Sequence, residues 1–131
     1  HVHGEILESK CSMCPEKEYY EIQKNLSKQD KCPFGHQLRP HVVWFGEDVP
    51  LLDQAIDITI DADVLLVIGT SLQVYPAANL IHHANLSSSI YLIDPNDFNI
   101  SNSRFTHIKK KATEGILEFI NIIQQKNGNY N

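Results

Sequence analysis

The sequence lacks the features of three large classes of protein. Its 131 residues carry a formal net charge of −5, and no basic block exceeds the three lysines at 109–111. Binding to nucleic acid requires clustered Lys and Arg, so this balance argues against a nucleic-acid partner. No apolar run reaches the roughly 18 residues of a membrane span, and no basic region followed by an apolar stretch opens the chain. Neither membrane insertion nor secretion is predicted.

Cysteine is scarce, and the three present cannot all be paired in disulfides. Two of them form the close pair Cys11-Ser-Met-Cys14, and Cys32 follows. A two-residue spacing lets one turn present two thiolates to a tetrahedral ion. This cysteine usage indicates a metal site in a reducing compartment, and we expect a cytoplasmic protein.

The segment 5–38 is polar and contains charge runs such as Glu16-Lys17-Glu18. Such a segment cannot bury a core without a cross-link, and a structural zinc ion would provide one. We expect His36 to be the fourth ligand, with His41 as the second choice. The alternative is a degenerate ribbon with reduced, metal-free cysteines.

From Val42 onwards, short apolar runs alternate with helical patterns. We expect a buried strand or extended segment at 42–45, helices at 51–60, 76–84 and around 116–123, and strands at 64–68 and 90–93. Buried strands alternating with helices predict an α/β fold with a Rossmann-like, doubly wound parallel sheet. We assign residues 1–41 to a small zinc-ribbon module with the segment around His3, and residues 42–131 to the Rossmann-like domain.

Polar residues follow two predicted strands, at the sheet edge where open parallel sheets bind ligands. Gly69, Thr70 and Ser71 could bind a phosphate or ribose, or they could form an ordinary strand-to-helix turn. Asp94 could accept both hydroxyls of a ribose, or it could be a turn residue before Pro95. By itself His3 is typical of a surface residue.

Taken together, several motifs occur in the order found in sirtuins. They are His3-Gly4, Cys11-x-x-Cys14, Cys32, LRPHVVWFGE at 38–47 and GTSLQVYPAA at 69–78. The sequence therefore resembles the sirtuin family, and segment 38–47 is most similar to the class III branch, whose members often remove acidic acyl groups. The resemblance implies an NAD-dependent protein-lysine deacylase with a zinc ribbon and a Rossmann-like domain.

The resemblance also implies roles for individual residues. His3 would be the general base that deprotonates a hydroxyl of the nicotinamide ribose. The products would be nicotinamide, free lysine and O-acyl-ADP-ribose. The residues implied to bind NAD are Gly69, Thr70, Ser71, Asp94 and Ala112.

The resemblance implies that a second set of residues binds the acylated-lysine substrate, whose acyl group in the family is acetyl, succinyl or malonyl. Val43 and Phe45 would line the acyl-lysine tunnel, and Val74 would lie near its entrance. Gly46 and Glu47 would pair through their backbones with the substrate peptide as an added strand. The implied zinc ligands are Cys11, Cys14 and Cys32, with His36 where the family has a fourth cysteine.

Other departures bear on activity. The family has an asparagine where this chain has Asp94, and the family's glycine-rich NAD loop lies before the histidine with which the motif series begins. The chain opens on His1, and its only methionine is Met13, which predicts a fragment. We expect such a fragment to be inactive alone, and its exposed sheet edge to favour a homodimer.

Two other readings compete with the enzyme. One is a non-catalytic module that binds a peptide or partner, favoured by the missing glycine-rich loop. The other is a zinc-ribbon nucleic-acid protein, which the acidic charge balance disfavours.

Overall fold

The computed structural model describes residues 1–14, 19–22, 25–70, 75–98 and 103–128. The chain divides into two units, His1–Leu51 and Leu52–Asn131. Residues 42–51 fall in the first unit by their contacts, whereas the sequence assigned them to the second domain. The domain boundary after residue 41 stays a prediction.

The first unit is built on an antiparallel sheet of three strands. They are β1 (Gly4–Cys11), β2 (Tyr19–Glu21) and β3 (Leu38–Val42), in the order β2-β1-β3. The pairing of β1 with β3 is interrupted, because Glu5 pairs with His41 while Ser9 pairs with Pro40. The residues between Glu5 and Ser9 therefore form a bulge, which bends the strand locally.

The second unit has the α/β architecture that the sequence predicts. Its strands β4 (Val64–Ile68), β5 (Ser89–Ile93) and β6 (Phe105–Ile108) are parallel and lie in the order β4-β5-β6. Its helices are α1 (Leu52–Ile60), a short 3₁₀ helix (Ala77–Asn79) continued by α2 (Leu80–His83), and α3 (Ala112–Gly128). No helix in the described ranges is long and apolar enough to cross a bilayer.

The core of the second unit lies between β5 and α3. Residues Ile90, Tyr91, Leu92 and Ile93 are buried without alternation, as expected for a strand covered on both faces. Tyr91 packs edge-to-face against Phe119 of α3, with ring centroids 5.0 Å apart. The Tyr91 hydroxyl also accepts a hydrogen bond of 2.9 Å from Lys126, so both ends of the ring are fixed to the helix.

Three details differ from the sequence predictions. Strand β3 ends at Val42, and Trp44 and Phe45 are exposed instead of buried, because the chain turns there. In α1 the buried face continues to Thr59, whereas Ile60 is exposed. Thr59 lies seven residues after Leu52 and therefore on the same face of the helix, whereas Ile60, eight residues after Leu52, is rotated away from that face. Strands β1, β2 and β6 were not predicted, since their residues carry too little apolar pattern.

We expect Gly115→Ala to destabilise the protein by about 1–2 kcal/mol, although alanine favours helices. A Cβ at this position of α3 would overlap Cγ2 of Ile93, which is fully buried and cannot move aside. Urea unfolding monitored by circular dichroism measures the loss.

The control is Thr113→Ala, an exposed position two residues earlier in the same helix. We expect it to change the free energy of unfolding by less than about 0.5 kcal/mol. Equal stability of the two variants would contradict close packing of α3 on β5.

Candidate metal centre and active-site segments

Four side chains of the first unit converge on one point. The ligand atoms of Cys11, Cys14, Cys32 and His36 all lie within 4.8 Å of one another. The Sγ atom of Cys32 lies 3.6 Å from that of Cys11 and 3.8 Å from that of Cys14. Nδ1 of His36 lies 3.4 Å from Sγ of Cys14. The structure thus brings together the four residues predicted as zinc ligands.

Two tight turns aim these side chains. The amides of Met13 and Cys14 both donate to Sγ of Cys11, at 3.3 and 3.2 Å. In the second turn the amide of Gly35 donates to the carbonyl of Cys32 at 2.8 Å, and the amide of Cys32 donates to the carbonyl of His36 at 2.9 Å. Each turn therefore holds its two ligands on the same side of the backbone.

The pKa values of the Cys11 and Cys14 thiols are shifted in opposite directions. Burial raises the pKa of Cys11, but hydrogen bonds from the amides of Met13 and Cys14 and from the other thiols outweigh it and lower the pKa to about 6. The pKa of Cys14 is raised to about 12, first because its thiol is hydrogen-bonded to Cys11 and then by burial.

The donor set fits a structural zinc ion. In a tetrahedral site with zinc–sulfur bonds of about 2.3 Å, sulfur ligands lie roughly 3.8 Å apart, close to the separations seen here. Three cysteines and a histidine fill the tetrahedron, so the site has no open position for catalysis. His41, the second choice for the fourth ligand, is engaged elsewhere: its Nδ1 lies 2.8 Å from Oε2 of Glu8, and its ring stacks on Tyr19.

His3 and Gly4 form a turn at the start of β1, where His3 is exposed. The carbonyl of His3 accepts a hydrogen bond of 2.9 Å from the amide of Val43, the residue after β3. Gly4 has a φ of +88°, and a Cβ there would overlap the carbonyl oxygen of His41. Glycine is therefore required for the His-Gly turn to lie against β3. The structure thereby joins the predicted general base to a residue predicted to line the acyl-lysine tunnel.

The segment that contains Phe45, Gly46 and Glu47 forms a turn after β3. The carboxylate of Glu47 accepts two hydrogen bonds from Nη2 of Arg39, at 2.7 and 2.8 Å, and Nζ of Lys10 lies 3.9 Å away. Sequence reasoning missed Arg39 and Lys10, because no spacing signal connects them to Glu47. Only the pairing of Lys10 with Arg39 across β1 and β3 places both cations beside this carboxylate.

The predicted NAD-binding residues that are described belong to the second unit. Gly69 follows β4, and its amide donates to the carbonyl of Ile93 at 3.3 Å, so it lies beside the end of β5. Asp94 is buried, and its Oδ1 accepts hydrogen bonds from the backbone and side-chain nitrogens of Asn96, at 2.8 and 2.9 Å. One oxygen of Asp94 thus stabilises the turn that the sequence also allowed. Ala112 begins α3, and Thr70 follows Gly69, whereas Ser71 and Val74 lie outside the described residues.

Comparison with known proteins identifies the family. The protein-family model described as "Sir2 family" matches residues 1–76, more than half of the chain. The chain belongs to the Sir2 family. The match includes the His-Gly turn, the four clustered ligands and segment 38–47, so the resemblance inferred from the motifs is confirmed.

Curated Sir2 relatives are named NAD-dependent protein deacylase. The protein of Aggregatibacter actinomycetemcomitans is 50% identical over 96 residues, which are 73% of this chain and 46% of that protein. The protein of Bacteroides thetaiotaomicron is 40% identical over 124 residues, which are 90% of this chain and 53% of that protein. The chain therefore spans about half the length of the relatives it matches.

A solved structure confirms the fold. A crystal structure of a Sir2 homologue in complex with NAD aligns with a TM-score of 0.75 and 33% identity. The alignment covers 96% of this chain and 51% of that one. A complex of a Sir2 homologue with ADP-ribose aligns with a TM-score of 0.78 and 32% identity. The Rossmann-like reading of the second unit is thereby confirmed.

We expect the purified chain to bind one zinc ion, with His36 as its fourth ligand. Replacing zinc by cobalt should give the visible absorption of a tetrahedral site, with bands from sulfur-to-cobalt charge transfer. His36→Cys should keep a tetrahedral site and strengthen these bands, whereas His36→Ala should shift or weaken them. Cys32→Ser should reduce metal content, measured by elemental analysis, because it removes the ligand at the centre of the cluster.

His41→Ala serves as the control, since His41 contacts Glu8 and Tyr19. Its cobalt spectrum should match that of the unsubstituted chain. A spectrum that changes with His41→Ala and not with His36→Ala would assign the fourth ligand to His41 instead.

Proposed function

We propose that this chain contributes the general base, the acyl-lysine segment, the zinc ribbon and part of the NAD site of an NAD-dependent protein-lysine deacylase. The observation that carries the proposal is the backbone hydrogen bond between His3 and Val43. It places an exposed histidine next to the segment that the sirtuin resemblance assigns to the acyl group. The names of the curated relatives and the NAD and ADP-ribose complexes of Sir2 homologues support this assignment.

In this proposal, NAD supplies the ADP-ribose that receives the acyl group. A ring nitrogen of His3 takes a proton from a hydroxyl of the nicotinamide ribose, which makes the hydroxyl oxygen a better nucleophile. Val43 and Phe45 contact the acyl-lysine side chain, and Val74 lies near its entrance. The backbones of Gly46 and Glu47 pair with the peptide, so recognition depends mostly on main-chain atoms.

The cofactor-binding part of the proposal rests on the carboxyl ends of β4 and β5. Gly69, Thr70 and Ser71 would contact the NAD phosphates and ribose, Asp94 would accept ribose hydroxyls, and the backbone of Ala112 would meet the adenine. Gly69 and Asp94 follow neighbouring parallel strands, the usual position of ligands in open α/β sheets. Zinc would be held by Cys11, Cys14, Cys32 and His36 and would stabilise the fold of the first unit.

A second candidate function is a non-catalytic module that binds a peptide or a partner. The exposed aromatic side chains of Trp44 and Phe45 favour it, because exposed aromatic groups commonly mark binding surfaces. The cytoplasmic location and the homodimer predicted from the sequence stay proposals. The present observations give no support to the homodimer.

Deacylation by a chimera tests the enzymatic proposal. This chain, joined to the first half of the Aggregatibacter relative, should release nicotinamide from NAD in the presence of an acetyl-, succinyl- or malonyl-lysine peptide. His3→Ala should lower the rate by roughly 10²–10⁴-fold, the usual contribution of a general base. His1→Ala is the matched control, since His1 is also exposed and instead pairs with Glu5 at 3.0 Å.

Two results would count against catalysis: no turnover by the chimera under conditions in which the parent relative is active, or equal rates for the two histidine variants. Calorimetric titration of NAD and of the acetyl-lysine peptide into the 131-residue chain separates the candidates further. Peptide binding without NAD binding would favour the non-catalytic module.

A further inference from the structure

A small ionic cluster joins the two long strands of the first unit to the turn that follows them. Both oxygens of the Glu47 carboxylate accept hydrogen bonds from Nη2 of Arg39, at 2.7 and 2.8 Å. Nζ of Lys10 lies 3.9 Å from Oε2 of the same carboxylate. The side chains of Arg39 and Glu47 are 25% and 38% exposed, so the pair is partly shielded from water. Hydrogen bonds from Arg39 come first among the causes that hold the pKa of Glu47 below its usual range.

The same cluster fixes the backbone on both sides of the aromatic residues. Oε2 of Glu47 accepts a hydrogen bond of 3.1 Å from the amide of Trp44, and the amide of Glu47 donates to the carbonyl of Trp44 at 3.0 Å. These two bonds close the turn 44–47 on itself, with Gly46 at a φ of +87°. Nη1 of Arg39 donates to the carbonyl of Val42 at 3.3 Å, which ties the start of the turn to the same guanidinium.

Packing contributes little to this conformation. Phe45 is 98% exposed and Trp44 is 60% exposed, so neither side chain is anchored in a core. An exposed turn of this kind would otherwise sample many backbone conformations. Charge-assisted hydrogen bonds from a planar guanidinium are geometrically specific, and here they restrict the residues on either side of Phe45.

We propose that Arg39, assisted by Lys10, is a positioning residue that uses the Glu47 carboxylate to pre-form the turn 44–47 for an extended peptide. The peptide part of this inference rests on the proposed function, whereas the ordering of the turn does not. A segment ordered before its ligand arrives loses less conformational entropy on binding, and affinity rises accordingly. The side chain of Arg39 acts through Glu47 and the Val42 carbonyl, the two groups to which it donates hydrogen bonds.

Trp44 provides a direct measurement, because it is the only tryptophan in the chain. In the zinc-loaded 131-residue protein, Arg39→Gln should lower the fluorescence anisotropy of Trp44 and raise its quenching by iodide. Glu47→Gln should act in the same direction, since the neutral amide loses the ion pair. Arg39→Lys should lie between, because lysine keeps the charge but has no second nitrogen that could bind the Val42 carbonyl while the first binds Glu47.

Lys110→Gln is the matched control. It removes one cation from an ion pair of 2.7 Å with Glu118 in the second unit. The Trp44 signal should not change in this variant. Zinc content and far-ultraviolet circular dichroism identify any variant that fails to fold, and Arg39→Lys and Glu47→Gln then provide the comparison with less perturbation.

Peptide binding is measured separately with an acetyl-lysine peptide. If the unsubstituted chain binds, Arg39→Gln should weaken binding by about threefold to tenfold, the range expected when a loop must be ordered on binding. Equal affinity, or a Trp44 signal that does not change in Arg39→Gln and Glu47→Gln, would overturn the inference. If the unsubstituted chain does not bind the peptide, that result counts against the proposed function, and the Trp44 signal alone decides whether Arg39 orders the turn.

Discussion

The first unit depends on a cross-link, because it has almost no apolar interior. Among its described residues, the buried side chains are Cys32 and Ser9, whereas Ile6, Leu7 and Phe34 are largely exposed. Burial of apolar surface therefore offsets little of the conformational entropy that ordering this unit costs. The convergence of three cysteines and a histidine supplies a site at which one metal ion can connect two turns and the end of a strand.

The position of this cluster has consequences for the segments predicted to carry the general base and to bind the acyl group. Cys11 is the last residue of β1 and pairs with Leu38, the first residue of β3. At the other end of the same pair of strands, Gly4 lies opposite Val42. The next residues outwards, His3 and Val43, are joined by a backbone hydrogen bond. The metal ligands and the predicted general base thus occupy opposite ends of one strand pair. Ordering of the cluster fixes one end of the register on which the His3 turn depends.

The second unit obtains its stability in a different way. Strand β5 is buried along its length and packs against α3, so hydrophobic burial and close packing maintain it. Gly69 and Asp94 directly follow two of its parallel strands. At Asp94, one carboxylate oxygen holds the turn that follows β5.

The amino-acid sequence by itself determined the fold class, a helix over 51–60, the strands β4 and β5, the three cysteines as candidate metal ligands, and the family. Those features depend on local periodicity and on motifs whose spacing is set by chain geometry. Only the tertiary structure decided that His36 rather than His41 joins the cysteines, and that Glu47 is bound by Arg39 and Lys10. The first outcome follows from the turn at 32–36 and from the contacts of His41 with Glu8 and Tyr19. The second follows from the pairing of Lys10 with Arg39, and a register between distant segments leaves no mark in either segment alone.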